Sequence, residues 1–140
     1  MIVDIESLLV RDEGEKLFPY LDTASPPRTT IGVGRNLSDR GISQQESRYL
    51  LRNDIESHTL ELLNALPWVS QLNPARQAVL VSMCFNMGLK GLLQFHNTLS
   101  MIEQGKYQEA AQAMLQSLWA KQVGHRAERL SQQMETGEWV

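Results

Sequence analysis

The segment after Asn73-Pro74 is the feature that most constrains the fold of this chain. Apolar residues occur on nearly every side of a helix here, at Ala75, Ala78, Val79, Leu80, Val81, Met83, Cys84 and Phe85. A helix that is apolar all round is either buried or spans a membrane, and this run is interrupted at Ser82 and too short for a bilayer. Asparagine followed by proline is a start signal for a helix. The sequence therefore predicts a buried central helix from this pair to about Met87.

Helical patterns occur on both sides of this segment. The spacing predicts a helix over residues 3–12, which ends at Gly14. Ser43 and Glu46 form a capping-box signature at the start of a long helix that Pro67 closes. That helix carries apolar residues on one face, at Leu51, Ile55, Leu62 and Leu66. Three further helices are predicted near residues 95–104, 107–118 and 124–134.

One region has a different character. Between residues 17 and 37, turn-forming residues that include Pro26-Pro27 are followed by Thr29-Thr30-Ile31-Gly32-Val33-Gly34. β-Branched residues alternating with glycine after a turn are typical of a small twisted hairpin. The predicted fold class is therefore α+β and mainly helical.

Composition excludes several classes of protein. A length of 140 residues with 42% hydrophobic residues fits one ordinary globular domain. Thirteen basic and sixteen acidic residues give a net charge of −3, which disfavours a nucleic-acid binder. The single cysteine, Cys84, cannot form an internal disulfide and is expected to be a buried apolar residue. The N-terminus has no basic segment, so no signal peptide is expected there.

Two carboxylates are candidate catalytic groups. Glu13 lies where the first helix ends, and Asp22 lies in a turn before the hairpin. Hydrolysis of a glycosidic bond uses one protonated carboxyl that donates to the leaving oxygen and one ionised group that assists the water or the developing cation. Acids near helix ends are more often solvated surface charges, so the residue types and their spacing alone favour that interpretation over catalysis. No serine-nucleophile elbow and no metal-binding spacing occurs in the sequence.

The neighbouring residues favour catalysis. The segments Arg11-Asp12-Glu13-Gly14, Pro19-Tyr20-Leu21-Asp22-Thr23 and Thr30-Ile31-Gly32-Val33-Gly34 follow one another in this order. The series resembles the catalytic signature of the phage-type lysozymes, glycoside hydrolase family 24. The likeness continues through residues 82–88, 95–98, 117–122, 124–127 and 136–139, so it covers nearly the whole chain.

The resemblance implies roles for three residues. Glu13 would be the general acid, Asp22 would stabilise positive charge and help to place the attacking water, and Thr30 would hold that water. The family is generally inverting, an outcome for which paired carboxyls are typically about 6.5–9.5 Å apart. The resemblance implies no metal and no cofactor.

The resemblance also implies a surrounding site. Asn36, Phe85, Asn86 and Thr98 fall where the family contacts its sugar substrate. Arg126 falls where the family has an arginine that pairs with the catalytic glutamate. Such a pair favours an ionised carboxylate, so burial would have to keep an acid at that position protonated.

The chain departs from the family pattern at one place that concerns the site. Seven residues separate Asp22 from Thr30, two more than the usual five, and Pro26-Pro27 lies within this longer loop. Thr29 is therefore an alternative to Thr30 as the residue that holds the water. The connection from the hairpin to the long helix is short, so we expect a small β lobe and an open cleft.

The resemblance implies a lysozyme-like architecture of two lobes within a single domain, residues 1–140. The N-terminal lobe with its β-hairpin is expected over about 13–45 and the connecting helix over about 43–65. The helical C-terminal lobe is expected over about 67–140 and would also include the helix at 3–12.

The implied activity is that of a muramidase. Its substrate would be the β-1,4 bond between N-acetylmuramic acid and N-acetylglucosamine in bacterial peptidoglycan. The implied role is that of a phage endolysin, made in the host cytoplasm as a monomer without membrane insertion, which reaches the wall with the help of a holin. The alternatives are a virion-borne or wall-remodelling muramidase and a catalytically silent glycan-binding relative.

Overall fold

The computed structural model describes residues 2–140. Across these residues the protein is mainly helical, with one small three-stranded antiparallel sheet. This confirms the predicted α+β, mainly helical class. The chain forms two compact units, of which the first ends at Tyr49 and the second is Leu50–Val140. The predicted lobe boundaries, and the assignment of the first helix to the C-terminal lobe, stay predictions.

The first unit combines short helices with the sheet. Its elements are α1 (Ile5–Glu13), β1 (Lys16–Leu21), β2 (Thr29–Gly32), β3 (Arg35–Asn36), α2 (Leu37–Arg40) and the beginning of α3 (Gln44–Ala65). Asp4 caps the start of helix α1, and its carboxylate accepts a hydrogen bond from the backbone N–H of Ser7. Gly14 caps the end of the helix: it adopts a φ of +74° and donates its N–H to the carbonyl of Val10. The predicted end of this helix is confirmed.

The sheet extends beyond the predicted hairpin. Strand β1 pairs antiparallel with β2, placing Tyr20 opposite Thr30 and Leu21 opposite Thr29. Strand β2 then pairs with β3, so that Thr30 also lies opposite Asn36. A tight turn at Gly34, which has a φ of +67°, makes this third strand possible. Thr30 therefore lies in the central strand.

The capping box at the start of α3 is confirmed. The N–H of Glu46 donates to Ser43 Oγ at 3.1 Å, and the N–H of Ser43 donates to Glu46 Oε1 at 2.9 Å. The boundary between the two units falls within this helix. Of the apolar face predicted for α3, Leu62 is fully buried whereas Ile55 is exposed.

The second unit consists of the rest of α3 and a group of shorter helices. They are a 3-10 helix (Pro67–Gln71), α4 (Pro74–Leu92), α5 (His96–Glu103), α6 (Tyr107–Leu115), α7 (Leu118–Val123) and α8 (His125–Thr136). Helix α4 begins as predicted, because Asn73 Oδ1 accepts from the N–H of Arg76. The segment predicted as one helix over 107–118 is divided: Ser117 caps α7, and its hydroxyl donates to the carbonyl of Met114.

Helix α4 supplies much of the core of the second unit. Its buried residues pack with apolar side chains from the surrounding helices, and the fully or nearly fully buried set includes Leu62, Val79, Leu80, Met83, Cys84, Leu92, Ile102, Met114 and Met134. The expectation of a buried central helix is confirmed, with two differences. Phe85 is 47% exposed, and the helix continues beyond Met87 to Leu92 after a break at Gly88. Burial raises the pKa of the Cys84 thiol to about 11, so it is not a nucleophile.

Hydrogen bonds join the end of α8 to the start of α4. Arg76 donates to the carbonyls of Met134 at 2.8 Å and Glu135 at 2.9 Å, which satisfies acceptors that a helix end leaves open. The buried Gln133 donates to the carbonyl of Ala75 at 2.7 Å.

In residues 2–140 no single helix meets the length and apolarity needed to cross a bilayer. Helices α4 and α5 do so only when joined across a bend of 118°.

Candidate active site

Glu13 is the last residue of α1 and its side chain is exposed. Its carboxylate lies beside the turn between β2 and β3: a Cβ built on Gly34 would be 3.9 Å from Glu13 Oε2. A glycine at this turn thus leaves space next to the carboxylate. The first unit does not itself bury Glu13, so it does not supply the burial that the sequence analysis expects for a general acid.

Asp22 follows β1 directly and is held by its own loop. Its Oδ1 accepts the backbone N–H of Arg28 at 2.9 Å and that of Ala24 at 3.1 Å. The Nε of Arg28 lies 3.6 Å from Asp22 Oδ2. The hydrogen bond from the backbone of Arg28 is the main reason that the pKa of Asp22 lies below its ordinary value of 3.8. The Ala24 N–H and the guanidinium add to this effect, whereas partial burial and Asp39 oppose it. Asp22 is therefore ionised at neutral pH.

Thr30 shares a partner with Asp22. It lies in β2 with 4% of its surface exposed, and its hydroxyl donates to the carbonyl of Arg28 at 3.1 Å. The backbone N–H of Asp22 donates to the same carbonyl at 3.0 Å. The Arg28 peptide therefore connects the two residues. Thr29 is bound differently, because its backbone N–H donates to Ser38 Oγ at 2.9 Å.

Asn36 acts as the N-cap of α2. Its Oδ1 accepts the N–H of Asp39 at 3.0 Å, and its Nδ2 donates to Asp39 Oδ2 at 2.9 Å. The same Asp39 oxygen lies 3.2 Å from Arg28 Nη1. The amide of Asn36 is thus already engaged within the protein, and its contact with a sugar stays a prediction.

A second ion pair fixes the sheet to the start of α3. Arg35 contacts Glu46 through both terminal nitrogens, at 2.8 and 2.9 Å, and also donates to the carbonyl of Gly41 at 3.2 Å. The planar guanidinium is well suited to such bidentate contacts with a carboxylate. Arg35 and the capping contacts of Ser43 lower the pKa of Glu46 from 4.5 to about 2.

The second unit holds the remaining predicted residues. Phe85 packs against His58, with ring centroids 5.3 Å apart, and lines an apolar groove of about 450 Å³ together with Arg126. Asn86 Oδ1 accepts the indole N–H of Trp119 at 3.1 Å. Thr98 is buried, with 6% of its surface exposed. The sugar contacts of these residues stay predictions.

Comparison with known families identifies the chain. Residues 10–135 match the family model described as phage lysozyme, which is most of the protein. The chain belongs to the phage lysozyme family. It is therefore a lysozyme, as the sequence analysis predicts, and the substrate class of the family is peptidoglycan.

Individual relatives are similar over most of the chain. A probable T4-type lysozyme of Dictyostelium discoideum is 29% identical, with 98% of this chain and 96% of that protein aligned. The endolysin of Salmonella phage P22 is 32% identical over 81% of this chain and 78% of its own length. The pre-baseplate central spike protein Gp5 of Enterobacteria phage T4 is 28% identical over 96% of this chain, which corresponds to 28% of the spike protein.

The predicted site residues of this lysozyme divide between the two units. Glu13, Asp22, Thr30 and Asn36 lie in the first unit, and Phe85, Asn86, Thr98 and Arg126 lie in the second. The pairing of Glu13 with Arg126 stays a prediction.

Sequence reasoning missed one residue of the first unit. Arg28 contacts Asp22 and Thr30 through its peptide and reaches both Asp22 and Asp39 with its guanidinium. Its only signal in the sequence is a cation placed within the loop between the two predicted site residues.

Proposed function

We propose that this lysozyme hydrolyses the β-1,4 bond between N-acetylmuramic acid and N-acetylglucosamine, with inversion at the anomeric carbon. The observation that carries the proposal is that Asp22 and Thr30 both bind the backbone of Arg28. The backbone N–H of Arg28 donates to the ionised Asp22 carboxylate, and its carbonyl accepts the hydroxyl of Thr30. A carboxylate and a hydroxyl held by the backbone of one residue are suited to orienting one water molecule.

The direction of the Thr30 hydrogen bond supports this role. Because the hydroxyl donates its proton to the carbonyl of Arg28, its oxygen is left to accept one. A water between the two groups would donate one hydrogen to Thr30 Oγ1 and the other to the Asp22 carboxylate. Its lone pair would then be free to attack the anomeric carbon.

The proposed reaction balances with Glu13 as the acid. The bond from the anomeric carbon to the glycosidic oxygen breaks, and that oxygen takes the proton of Glu13. The water oxygen forms the new bond to carbon and gives its proton to Asp22. Proton transfer from Asp22 back to Glu13 through solvent restores the starting state. Attack by water from the face opposite the leaving group produces inversion.

Analysis of the reaction products tests both which glycosidic bond is cleaved and whether the anomeric configuration is inverted. After digestion of purified peptidoglycan, mass spectrometry of borohydride-reduced fragments should show muramic acid at the reduced end. Proton NMR during the first turnovers should show the α-anomer before mutarotation. Glucosamine at the reduced end would contradict the proposed bond, and initial release of the β-anomer would contradict inversion. The double variant Asp22→Asn/Thr30→Val is the inactive control.

We further propose that the biological role is lysis of a bacterial host by a phage. The similarity to the P22 endolysin supports this role. The enzyme would be made as a monomer in the host cytoplasm and act on the wall after a holin permeabilises the membrane. Expression in the bacterial cytoplasm should leave cells intact until the membrane is permeabilised with chloroform, whereas spontaneous lysis would contradict holin dependence.

The similarity to part of the T4 spike protein favours a second candidate, a virion-borne muramidase. Antibody detection separates the two roles. A lysis enzyme should remain in the lysate when phage particles are purified, and a virion component should copurify with the particles.

A further inference from the structure

The loop between β1 and β2 contains a residue that neither the family signature nor the predicted site includes. Arg28 takes part in five interactions within the first unit, three through its backbone N–H and carbonyl and two through its side chain. The peptide N–H donates to Asp22 Oδ1, and the peptide carbonyl accepts from the Asp22 N–H and the Thr30 hydroxyl. The guanidinium lies 3.6 Å from Asp22 and 3.2 Å from Asp39.

The side chain of Arg28 contacts two acids. Asp22 belongs to the loop and Asp39 to α2, and these two acids and Arg28 are the charged groups that influence one another here. Two carboxylates that share one cation are both stabilised by it, whereas without the cation they repel each other. Asp39 also accepts a hydrogen bond from the guanidinium, and Asn36 donates to the same Asp39 oxygen.

The contact between the Arg28 guanidinium and the Asp22 carboxylate is longer than a hydrogen bond and could shorten. Arg28 Nε is buried and has no hydrogen-bond partner within residues 2–140. Asp22 Oδ2 lies 3.6 Å from this nitrogen, just beyond hydrogen-bond distance. A small movement of the loop would therefore convert an ion pair into a charge-assisted hydrogen bond and draw the carboxylate into one orientation.

We propose that Arg28 is the positioning residue that holds the Asp22 carboxylate and the Thr30 hydroxyl in the relative placement needed for the attacking water. The inference rests on the proposed roles of Asp22 and Thr30. Its backbone N–H and carbonyl set the placement of the two groups. Its guanidinium attracts the Asp22 carboxylate and offsets the repulsion between Asp22 and Asp39. Arg28 itself does not touch the reacting atoms.

Side-chain variants test this role because they leave the peptide unchanged. Arg28→Gln removes the charge at similar length, and Arg28→Lys restores a charge without the planar guanidinium. Arg48→Gln is the matched control, since Arg48 is an exposed arginine on α3 in the same unit. The measurements are kcat and KM on a soluble peptidoglycan oligosaccharide across pH, and a ¹³C NMR titration of the Asp22 carboxyl.

We expect Arg28→Gln to lower kcat about tenfold with little change in KM, less than the roughly 10²-fold that a misplacement of 1 Å can cost. The acidic limb of the kcat profile and the pKa of Asp22 should both move to higher pH. Arg28→Lys should recover part of each effect, and Arg48→Gln should match the unmodified enzyme.

Three outcomes would overturn the inference. They are an unchanged kcat in Arg28→Gln, a lower kcat with no movement of either titration, and an effect of equal size in Arg48→Gln. The NMR titration requires no activity, so it also reports on a folded but inactive variant.

Asp22→Asn, measured in parallel, separates the two proposals: full activity in this variant would refute the role of Asp22 itself, whatever Arg28 does.

Discussion

Thr30→Val removes a single hydroxyl from the proposed water site and replaces it with a methyl group of nearly the same size. Because Thr30 is 4% exposed and lies in the central strand, valine fits the same space and suits the strand conformation. The change therefore separates the chemistry of the hydroxyl from the packing of the side chain.

The cost in stability follows from one hydrogen bond. The variant loses the 3.1 Å bond from Thr30 to the carbonyl of Arg28. That carbonyl keeps the N–H of Asp22 as a donor, so no buried acceptor is left without a partner. We therefore expect the free energy of unfolding to fall by only about 1 kcal/mol. This corresponds to a decrease in Tm of roughly 2–4 °C for a chain near this length.

The cost in activity should be much larger. Without the hydroxyl, one of the two groups that orient the water is gone, and we expect kcat to fall about 10²-fold. Thr30→Ser keeps the hydroxyl and should retain most of the activity. Thr29→Val makes the same chemical change at the neighbouring residue and should leave kcat nearly unaltered.

Two assays measure these effects. The loss of turbidity of a bacterial cell-wall suspension measures activity, and circular dichroism during heating measures stability. The reasoning fails if Thr30→Val clears walls within a few-fold of the unmodified rate. A large loss in Thr29→Val together with a small loss in Thr30→Val would transfer the water-holding role to Thr29.

Three further changes test other parts of the structure. Glu13→Gln should lower wall clearing by about 10²–10⁴-fold because an amide cannot donate the required proton, whereas Glu15→Gln should not. A double-mutant cycle of Glu13→Gln and Arg126→Met, read as kcat/KM, should show coupling, and additive effects would exclude the pairing. Because the pKa of Glu46 is lowered from 4.5 to about 2, its stabilising contribution is present above pH 4.5 and lost as the pH falls toward 2. Glu46→Gln should therefore reduce the acid-induced fall in Tm over that interval, and an unaltered fall would show that the ion pair with Arg35 contributes nothing.

Helix boundaries that depend on nearby residues were predictable from the sequence. The capping box at Ser43, the start at Asn73-Pro74 and the end at Gly14 each involve hydrogen bonds over three or four residues. The division between α6 and α7 was not predicted, because the apolar pattern continues through it. Ser117 interrupts the helix by donating to one turn and accepting from the next, a competition that periodicity does not record.

The candidate site was predictable only in part. The family signature supplies Glu13, Asp22 and Thr30 as residue types in a set order. Arg28 has no place in that signature, since its contacts depend on how the loop returns to the sheet. Whether a residue such as Thr98 is exposed also depends on packing between helices distant in sequence, which a motif does not describe.

The longer loop between Asp22 and Thr30 is compatible with the proposed site because of where the strands pair. The β1–β2 ladder places Leu21 opposite Thr29, and the next hydrogen bond joins the N–H of Asp22 to the carbonyl of Arg28. Residues 23–27 form the loop outside this last pair. The separation of Asp22 and Thr30 is thus set by the ladder and the Arg28 peptide, and not by the number of residues in the loop. Extra residues inserted beyond the closing pair lengthen the loop and leave the two groups in place.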